Sequence, residues 1–239
     1  MLKRWFTRFV GIFDPAGVRK YVTQLTLILI SLLLATRADR CREAGKEQAK
    51  LREYLIAIQA DIEDEIKTDK MNLVDTKRDE KCLIQFFSKC YYDNNDSLYE
   101  AYSNFAEVYQ RGVFRAFPPT TFDLMAQSGD ANLLKDLPLR NSLASVFAFR
   151  QNVIQKDLEN FDEQTQVCAE KLGRFFDLSL MFAGVKEQFL YDKKAFLKDP
   201  HNEVLLLYRS TGLRAFHLET AIEDLKETQK ELDAYLQKL

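Results

Sequence analysis

The stretch LREYLIAIQADIEDEI, residues 51–66, decides the fold class of this chain. Apolar side chains return in it every three or four positions, which places them on one face of a helix. Since no Pro or Gly interrupts residues 46–93, the sequence predicts one helix of roughly 50 residues there. Its apolar face comprises Leu51, Leu55, Ile58, Ile62, Ile66 and Leu73, and it resumes at Leu83 and Phe87.

Further helices with the same kind of spacing are predicted downstream. The turn residues 93–96 end the first helix and cap a second one over 97–116, and a short helix is expected at 121–127. A long helix is predicted from Pro138 to Pro200, followed by a last helix. Their stripes step by three and four, as in coiled-coil seams. The members are Ile154, Leu158, Phe161, Thr165, Cys168, Leu172, Phe175, Ser179 and Phe182, and then Ala215, Leu218, Ile222, Leu225, Gln229, Leu232, Leu236 and Leu239.

Composition agrees with this reading. Only 8 Gly and 5 Pro are present, fewer than all-β domains or glycine-rich nucleotide folds need for their turns. No strand pattern or fixed-period repeat is visible. The predicted fold class is all-α: an N-terminal transmembrane helix, followed by long antiparallel helices that form a bundle with coiled-coil-like seams.

The transmembrane prediction rests on YVTQLTLILISLLLAT, residues 21–36, which contains no charge. As a helix it would span about 24 Å, which is short for a hydrocarbon core of about 30 Å. Arg19, Lys20 and Arg37 can extend to the headgroups and make up the difference. Two alternatives stay open: a cleaved signal peptide, because Ala35 and Ala38 follow the apolar run, and a helix of a soluble domain.

Residues 1–20 alternate aromatic and basic side chains at roughly helical spacing, which favours a short helix lying in the membrane interface. An unstructured basic tail is the alternative. We therefore predict three parts: an interfacial segment 1–20, a transmembrane helix 21–37 and a helical bundle 38–239. The residues expected at the membrane interface are Lys3, Arg4, Trp5, Phe6, Arg8, Phe9, Arg19, Lys20 and Arg37.

Charge is distributed unevenly along the chain. Residues 1–52 carry 11 Lys/Arg against 4 Asp/Glu, whereas the remainder carries 23 against 32. The basic part would be attracted to anionic headgroups, so a lipid bilayer is the expected partner. The acidic remainder argues against nucleic acid. The N-terminus is expected inside and the bulk of the chain outside, because a short basic tail resists export while long C-terminal domains translocate regardless of charge.

No catalytic, cofactor or metal motif is recognisable, and the chain is expected not to be an enzyme. Of the two histidines, His217 is expected to be structural, and the acidic run 61–65 to be a solvated helix face. Cys82 and Cys90 would lie about 12 Å apart on one helix, beyond the roughly 7 Å that a disulfide allows. Either of them with Cys168 stays open.

Two features suggest interaction surfaces. Gln24 and Ser31 share one face of the apolar helix, where polar groups can hydrogen-bond between neighbouring helices or simply be tolerated. The region 86–122 is rich in aromatic residues, which either form a partner surface or fill the core. The candidate partner surface consists of Tyr91, Tyr92, Tyr99, Tyr102 and Tyr109.

Two stretches resemble a family of uncharacterised single-pass bacterial membrane proteins, with a similarity covering residues 1–160. One is the helix after the anchor, and the other is TTFDLMAQSGDANLLKDLPLRNSLASVF, residues 120–147. The resemblance implies an anchor and a helical domain but no activity. With the orientation above, it implies a bacterial inner-membrane location with the bulk of the chain on the periplasmic side. TRADRCREAGKE replaces the polar stretch that family members carry after the anchor. The matching residues are Tyr54, Leu55, Ile58, Asp61, Ile62 and Glu65, and then Thr121, Phe122, Leu124, Ser128, Gly129, Leu134, Asp136, Leu139, Arg140 and Leu143.

These observations favour a membrane-anchored, non-enzymatic helical protein with an interaction, sensory or scaffolding role. It is expected to form homo-oligomers or to bind another membrane protein. The alternative is a membrane effector or channel-like component, for example in stress or phage defence, in which Gln24 and Ser31 of the anchor line or gate a pore.

Overall fold

The computed structural model describes residues 15–111, 120–177, 179–180, 183–186 and 189–239, with side chains from Thr23 onward. In these ranges the chain is helical apart from turns, loops and an isolated antiparallel bridge between Phe176 and Leu190. The predicted all-α helical bundle is confirmed.

Long helices and short connections build the fold. The helices are α1 Pro15–Lys89, α2 Asn95–Gln110, α3 Thr121–Gln127, α4 Leu137–Phe149, α5 Gln155–Leu172, α6 Lys193–Lys198 and α7 Asn202–Leu236. A 3₁₀ turn, Asp130–Leu133, precedes α4, and a π turn, Arg150–Ile154, joins α4 directly to α5. The chain divides into two compact units, Met1–Arg52 and Glu53–Leu239.

In the first unit, every described side chain from Thr23 to Lys50 is exposed. Arg37, Gln24 and Ser31 belong to this exposed part of α1. Within the part of the chain whose side chains are described, no helix combines the length and apolar character that a bilayer crossing requires. The interface residues Lys3, Arg4, Trp5, Phe6, Arg8 and Phe9 lie outside the described residues, as do the side chains of Arg19 and Lys20.

The seams predicted for the bundle are largely confirmed. On α1, the apolar face from Leu51 to Ile66 is buried, although Leu73 is only half-buried. Further along, Phe86 is the fully buried ring and Phe87 is half-buried, so the predicted register is wrong there by one residue. The other buried seam members are Leu83, then Ile154, Leu158, Phe161, Thr165, Cys168 and Leu172, and on α7 Leu218, Ile222, Leu225 and Leu232.

The single helix predicted from Pro138 to Pro200 is wrong. It is continuous only to Leu172, after which Gly173 ends α5. The chain then folds back on itself, because Asp177 N–H donates to the Phe189 carbonyl and Tyr191 N–H donates to the Phe175 carbonyl, both at 2.7 Å. Aromatic packing stabilises this turn: Phe176 stacks on Phe189 and lies edge-on to Phe196. Ser179 is therefore exposed, and Phe182 lies outside the described residues.

The second helix is also shorter than predicted. It ends at Gln110 rather than at 116, and Arg111 lies in a turn. The Arg111 side chain reaches α1, where its Nη1 donates to the Asp75 carbonyl at 3.1 Å. This contact holds the end of α2 against α1.

Candidate functional site

The middle of α1 places carboxylates on its buried face, and one of them belongs to the acidic run 61–65, which was expected to be solvated. The polar positions continue the apolar stripe with the same alternating steps, so they face the bundle interior. The expectation that Glu65 is solvated is wrong, whereas Glu63 and Asp64 beside it are exposed. The buried polar members of this face are Glu65, Asp69, Thr76 and Asp79.

Arg150 neutralises the first two of these carboxylates. Its guanidinium donates two hydrogen bonds to Asp69, from Nε at 3.2 Å and from Nη2 at 3.1 Å. Its Nη1 pairs with Glu65. The arginine is 2% exposed and begins the π turn Arg150–Ile154. Ile154 at the end of the same turn is buried as well.

Charge in this first cluster does not balance, because two carboxylates face one guanidinium. Burial raises the pKa of both Glu65 and Asp69, although Arg150 opposes that shift. Loss of hydration on burial therefore outweighs the pairing with Arg150.

Arg214 of α7 forms a second cluster further along α1. Its Nε donates to Thr76 Oγ1 at 2.8 Å, and its Nη2 donates to Asp79 Oδ2 at 2.7 Å. The guanidinium lies 3.9 Å from the centre of the Phe161 ring, a cation–π contact. Arg111 pairs with the other Asp79 oxygen at 2.6 Å. Burial lowers the pKa of Arg214 and raises that of Asp79 against the two guanidinium groups.

Together the clusters hold α1 in one axial register against its neighbours. A slip of one helical turn moves a side chain by about 5.4 Å and would leave buried charges without their partners. The sequence contained a signal for this arrangement that we missed. Arg150 lies four residues before Ile154, and Arg214 four before Leu218, so each arginine occupies a seam position.

A second unusual group is His201, at the corner between α6 and α7. It is 1% exposed and adopts the left-handed conformation, with φ of 50°. Its ring contacts Phe196, Phe86 and Tyr91, at centroid distances of 4.5, 5.4 and 5.8 Å. Neither ring nitrogen has a hydrogen-bond partner among the described residues. Burial lowers the pKa of His201.

The other histidine is ordinary by comparison. His217 is half-buried, and its Nδ1 lies 2.5 Å from Asp157 Oδ2. This contact joins α7 to α5, in keeping with the structural role expected for His217.

The five tyrosines of the candidate partner surface are not brought together on one surface. Tyr102 is buried and is therefore not part of a surface, and burial raises its pKa to about 12. Tyr99 is half-buried and packs edge-on against Phe189. Tyr91 and Tyr92 are exposed after the end of α1, and Tyr109 is exposed near the end of α2. The core interpretation therefore applies to Tyr102, and the surface interpretation survives for Tyr91, Tyr92 and Tyr109.

All four cysteines are free, so the pairing of Cys168 with Cys82 or Cys90 that the sequence left open is not formed. Cys41 is exposed, whereas the other three are buried. Burial raises the pKa of Cys90 to about 11 and that of Cys168 to about 12. Their thiols are therefore almost fully protonated at neutral pH and shielded from reagents.

We expect one thiol of the native full-length protein to react rapidly with a disulfide reagent at pH 8. The remaining three should react only after denaturation. Stopped-flow measurement of the released chromophore counts the rapid thiols, and Cys41→Ser should abolish the rapid phase. A rapid phase that survives in Cys41→Ser would contradict the burial of the other cysteines.

The two stretches that carry the family resemblance contact each other. Tyr54 donates its hydroxyl proton to Asp130 at 2.8 Å, and the Thr121 N–H donates to Asp61 at 2.6 Å. Thr120 and Asp123 also form a capping box at the start of α3. These contacts attach α3 and the 3₁₀ turn to α1.

Comparison of the chain with protein-family models, with curated proteins and with solved structures gives no match. Among the described residues, no group of three or more His, Cys, Asp or Glu side chains is placed to hold a metal ion. The unusual features of the described residues are the exposed apolar part of α1, the buried charge clusters and the His201 corner.

Proposed function

We propose that this protein is a membrane-anchored, non-enzymatic helical interaction protein with a scaffolding or sensory role. Residues 21–37 act as its transmembrane anchor, and 38–239 as the helical domain. The observation that supports this proposal is a run of exposed apolar side chains on all sides of α1, between 47% and 69% exposed. They are Leu25, Leu27, Ile28, Leu29, Ile30, Leu32, Leu33 and Leu34.

Such a run of apolar side chains favours contact with the hydrocarbon interior of a bilayer. Removing one large aliphatic side chain from water contributes about 1.5–3 kcal/mol, and soluble proteins rarely expose large contiguous apolar patches. A groove on a partner protein would cover one side of a helix, whereas these side chains surround it. The apolar run is short, so Arg19, Lys20 and Arg37 would extend to the headgroups, with residues 1–20 in the interface.

Self-association is the second part of the proposal. Gln24 and Ser31 are exposed and seven residues apart, on one face of an otherwise apolar run. In a bilayer, polar side chains on one face favour helix pairing through hydrogen bonds. A second copy or another membrane protein is the expected partner, with the protein in a bacterial inner membrane and its bulk on the periplasmic side.

The anchor is tested by fractionation of cells that express the full chain. We expect the protein in the membrane fraction, resistant to alkaline carbonate and released by detergent. Ile28→Lys combined with Leu32→Lys should move it to the soluble fraction, because each lysine at the centre of a membrane helix costs about 2.5–3.5 kcal/mol. The matched control is Ile56→Lys with Ile84→Lys, two exposed isoleucines on the same helix that should leave fractionation unchanged.

Native mass measurement in detergent tests self-association. Oligomers are expected, and Gln24→Leu with Ser31→Leu should weaken them without releasing the protein from membranes. Equal release by both lysine pairs, or a carbonate-soluble parent protein, would refute the anchor. Membrane depolarisation on expression that disappears in the Gln24→Leu, Ser31→Leu variant would favour the channel-like alternative over a scaffold.

A further inference from the structure

The corner between α6 and α7 is built around a buried histidine. Pro200 precedes His201, and α7 begins at Asn202 with no side-chain cap on its first turn. The corner is held instead by Asp199, whose carboxylate accepts the His201 N–H at 2.7 Å and lies 3.2 Å from Lys171 Nζ. Phe196 of α6 packs on His201 and on Phe176, which joins the corner to the aromatic core.

Burial of the imidazole, rather than the charges around it, disfavours its protonated form. Lys171 of α5 opposes protonation, while Asp199 and Glu203 at the start of α7 favour it. Both carboxylates are already engaged by Lys171. Tyr91, after α1, and the rings of Phe86 and Phe196 supply no negative charge. Burial is the largest influence on the ring, and it disfavours the imidazolium.

The surroundings of the His201 ring make the α6–α7 corner sensitive to acid. An imidazolium carries two N–H donors, and Nε2 has no acceptor in the aromatic surroundings of Phe86, Phe196 and Tyr91. Nδ1 lies 3.5 Å from the Asp199 carboxylate, which already accepts the His201 N–H and pairs with Lys171. Leaving a buried charged donor without a partner is costly, so the ring gains its proton most easily by moving into water.

We propose that His201 is the sensor of an acid-operated latch, in which protonation releases the α6–α7 corner from the aromatic core of the bundle. The corner comprises Lys193–Asn202 and includes no other histidine. Release separates Phe196 from Phe176, and His201 from Phe86, and gives water access to the cluster that these rings share with Cys90 and Cys168.

The pH range follows from the direction of the shift. The closed state lowers the His201 pKa below its ordinary value of 6.5, so the closed corner is fully stable above about that pH. Its stability is lost as pH falls towards the lower, closed-state pKa. Within this window the ratio of open to closed forms rises up to about tenfold for each pH unit.

The test uses the full chain in detergent with Cys41→Ser, which removes the exposed thiol. Reaction with 4,4′-dithiodipyridine, which remains thiol-reactive in mild acid, is followed from pH 7.5 to 5. We expect the reaction of Cys90 and Cys168, identified by mass spectrometry of labelled peptides, to accelerate as the pH falls below about 6.5, by up to about tenfold for each pH unit. Circular dichroism on the same samples should retain the helical signal, because α1, α5 and α7 stay folded.

Three substitutions test whether the effect depends on protonation of His201. His201→Asn keeps a residue that tolerates the left-handed conformation but cannot be protonated, and it should remove the acid acceleration. His217→Asn, the matched control on α7, should retain it. His201→Gly, which suits the same backbone conformation without a ring, should also show no acid step.

The proposal is overturned if the parent protein shows no acid acceleration, or if His201→Asn and His201→Gly keep it. It also fails if the step is lost in His217→Asn alone. If both His201 variants expose the thiols at every pH, the ring acts by packing and not by protonation, and the latch is rejected.

Discussion

Arg150→Met should lower the free energy of unfolding of the bundle by about 3–5 kcal/mol. The substitution removes the hydrogen bonds to Asp69 and the pairing with Glu65, and the side chain of Met cannot replace them. Two buried carboxylates would then face each other in an environment that already disfavours their charge. Urea unfolding followed by circular dichroism, on the full chain in detergent, measures the change.

Two controls separate this effect from the general cost of losing a charge. Lys77 pairs with Glu219 at 2.7 Å, but both side chains are about half exposed. Lys77→Met should therefore change stability by less than about 1 kcal/mol. Combining Arg150→Met with Glu65→Leu and Asp69→Leu should restore most of the loss, because an apolar cluster needs no charge compensation.

The second cluster provides an internal comparison. Arg214→Met removes one of two guanidinium groups from Asp79 and leaves Arg111 in place. The loss should be smaller than for Arg150→Met. Equal losses at the two arginines, or a change below about 1 kcal/mol for Arg150→Met, would mean that water reaches the first cluster and screens its charges.

Phe86→Ala should destabilise the bundle by about 3–5 kcal/mol, the usual range for deleting a buried aromatic ring. Phe86 is fully buried near the end of α1. Its ring contacts Phe87, Phe105 and His201 and so joins α1 to α2 and to the α6–α7 corner. The cavity would lie where three parts of the fold meet, so the loss cannot be repaired by a shift of one neighbour.

Unfolding by urea again provides the measurement, with Phe216→Ala as the matched control. Phe216 is 62% exposed on α7, and its removal should change stability by no more than about 0.5 kcal/mol. A loss below 1.5 kcal/mol for Phe86→Ala would show that the aromatic cluster collapses around the missing ring. Because His201 loses one of its ring contacts, we also expect faster thiol exposure at every pH in Phe86→Ala.

The fold class and most seams could be predicted from the sequence. The spacing of apolar residues depends only on neighbours along the chain. An apolar residue every three or four positions, without Pro or Gly, specifies a helix and the face that it buries. This spacing correctly predicted buried residues as far as Leu83 on α1, Leu172 on α5 and Leu232 on α7. It failed after Gly173, where distant aromatic rings, rather than local propensity, decide that the chain folds back.

The candidate sites were harder to predict from the sequence, because they depend on contacts between residues far apart in the chain. Glu63, Asp64 and Glu65 are consecutive acidic residues on one helix, yet only Glu65 is buried. Its burial depends on Arg150, far away in the chain. Similarly, nothing beside His201 in the sequence predicts the rings of Phe86 and Tyr91.

By itself, the sequence determined that this chain is helical, that its buried faces follow a three-and-four spacing, and that an uncharged apolar run precedes an acidic remainder. Those properties depend on neighbours within a few turns of helix. Only the tertiary structure decided which charges leave water and which histidine is buried without a hydrogen-bond partner. Desolvating a charge is tolerated where a partner from another helix arrives within hydrogen-bond distance, and packing of the whole bundle sets that distance.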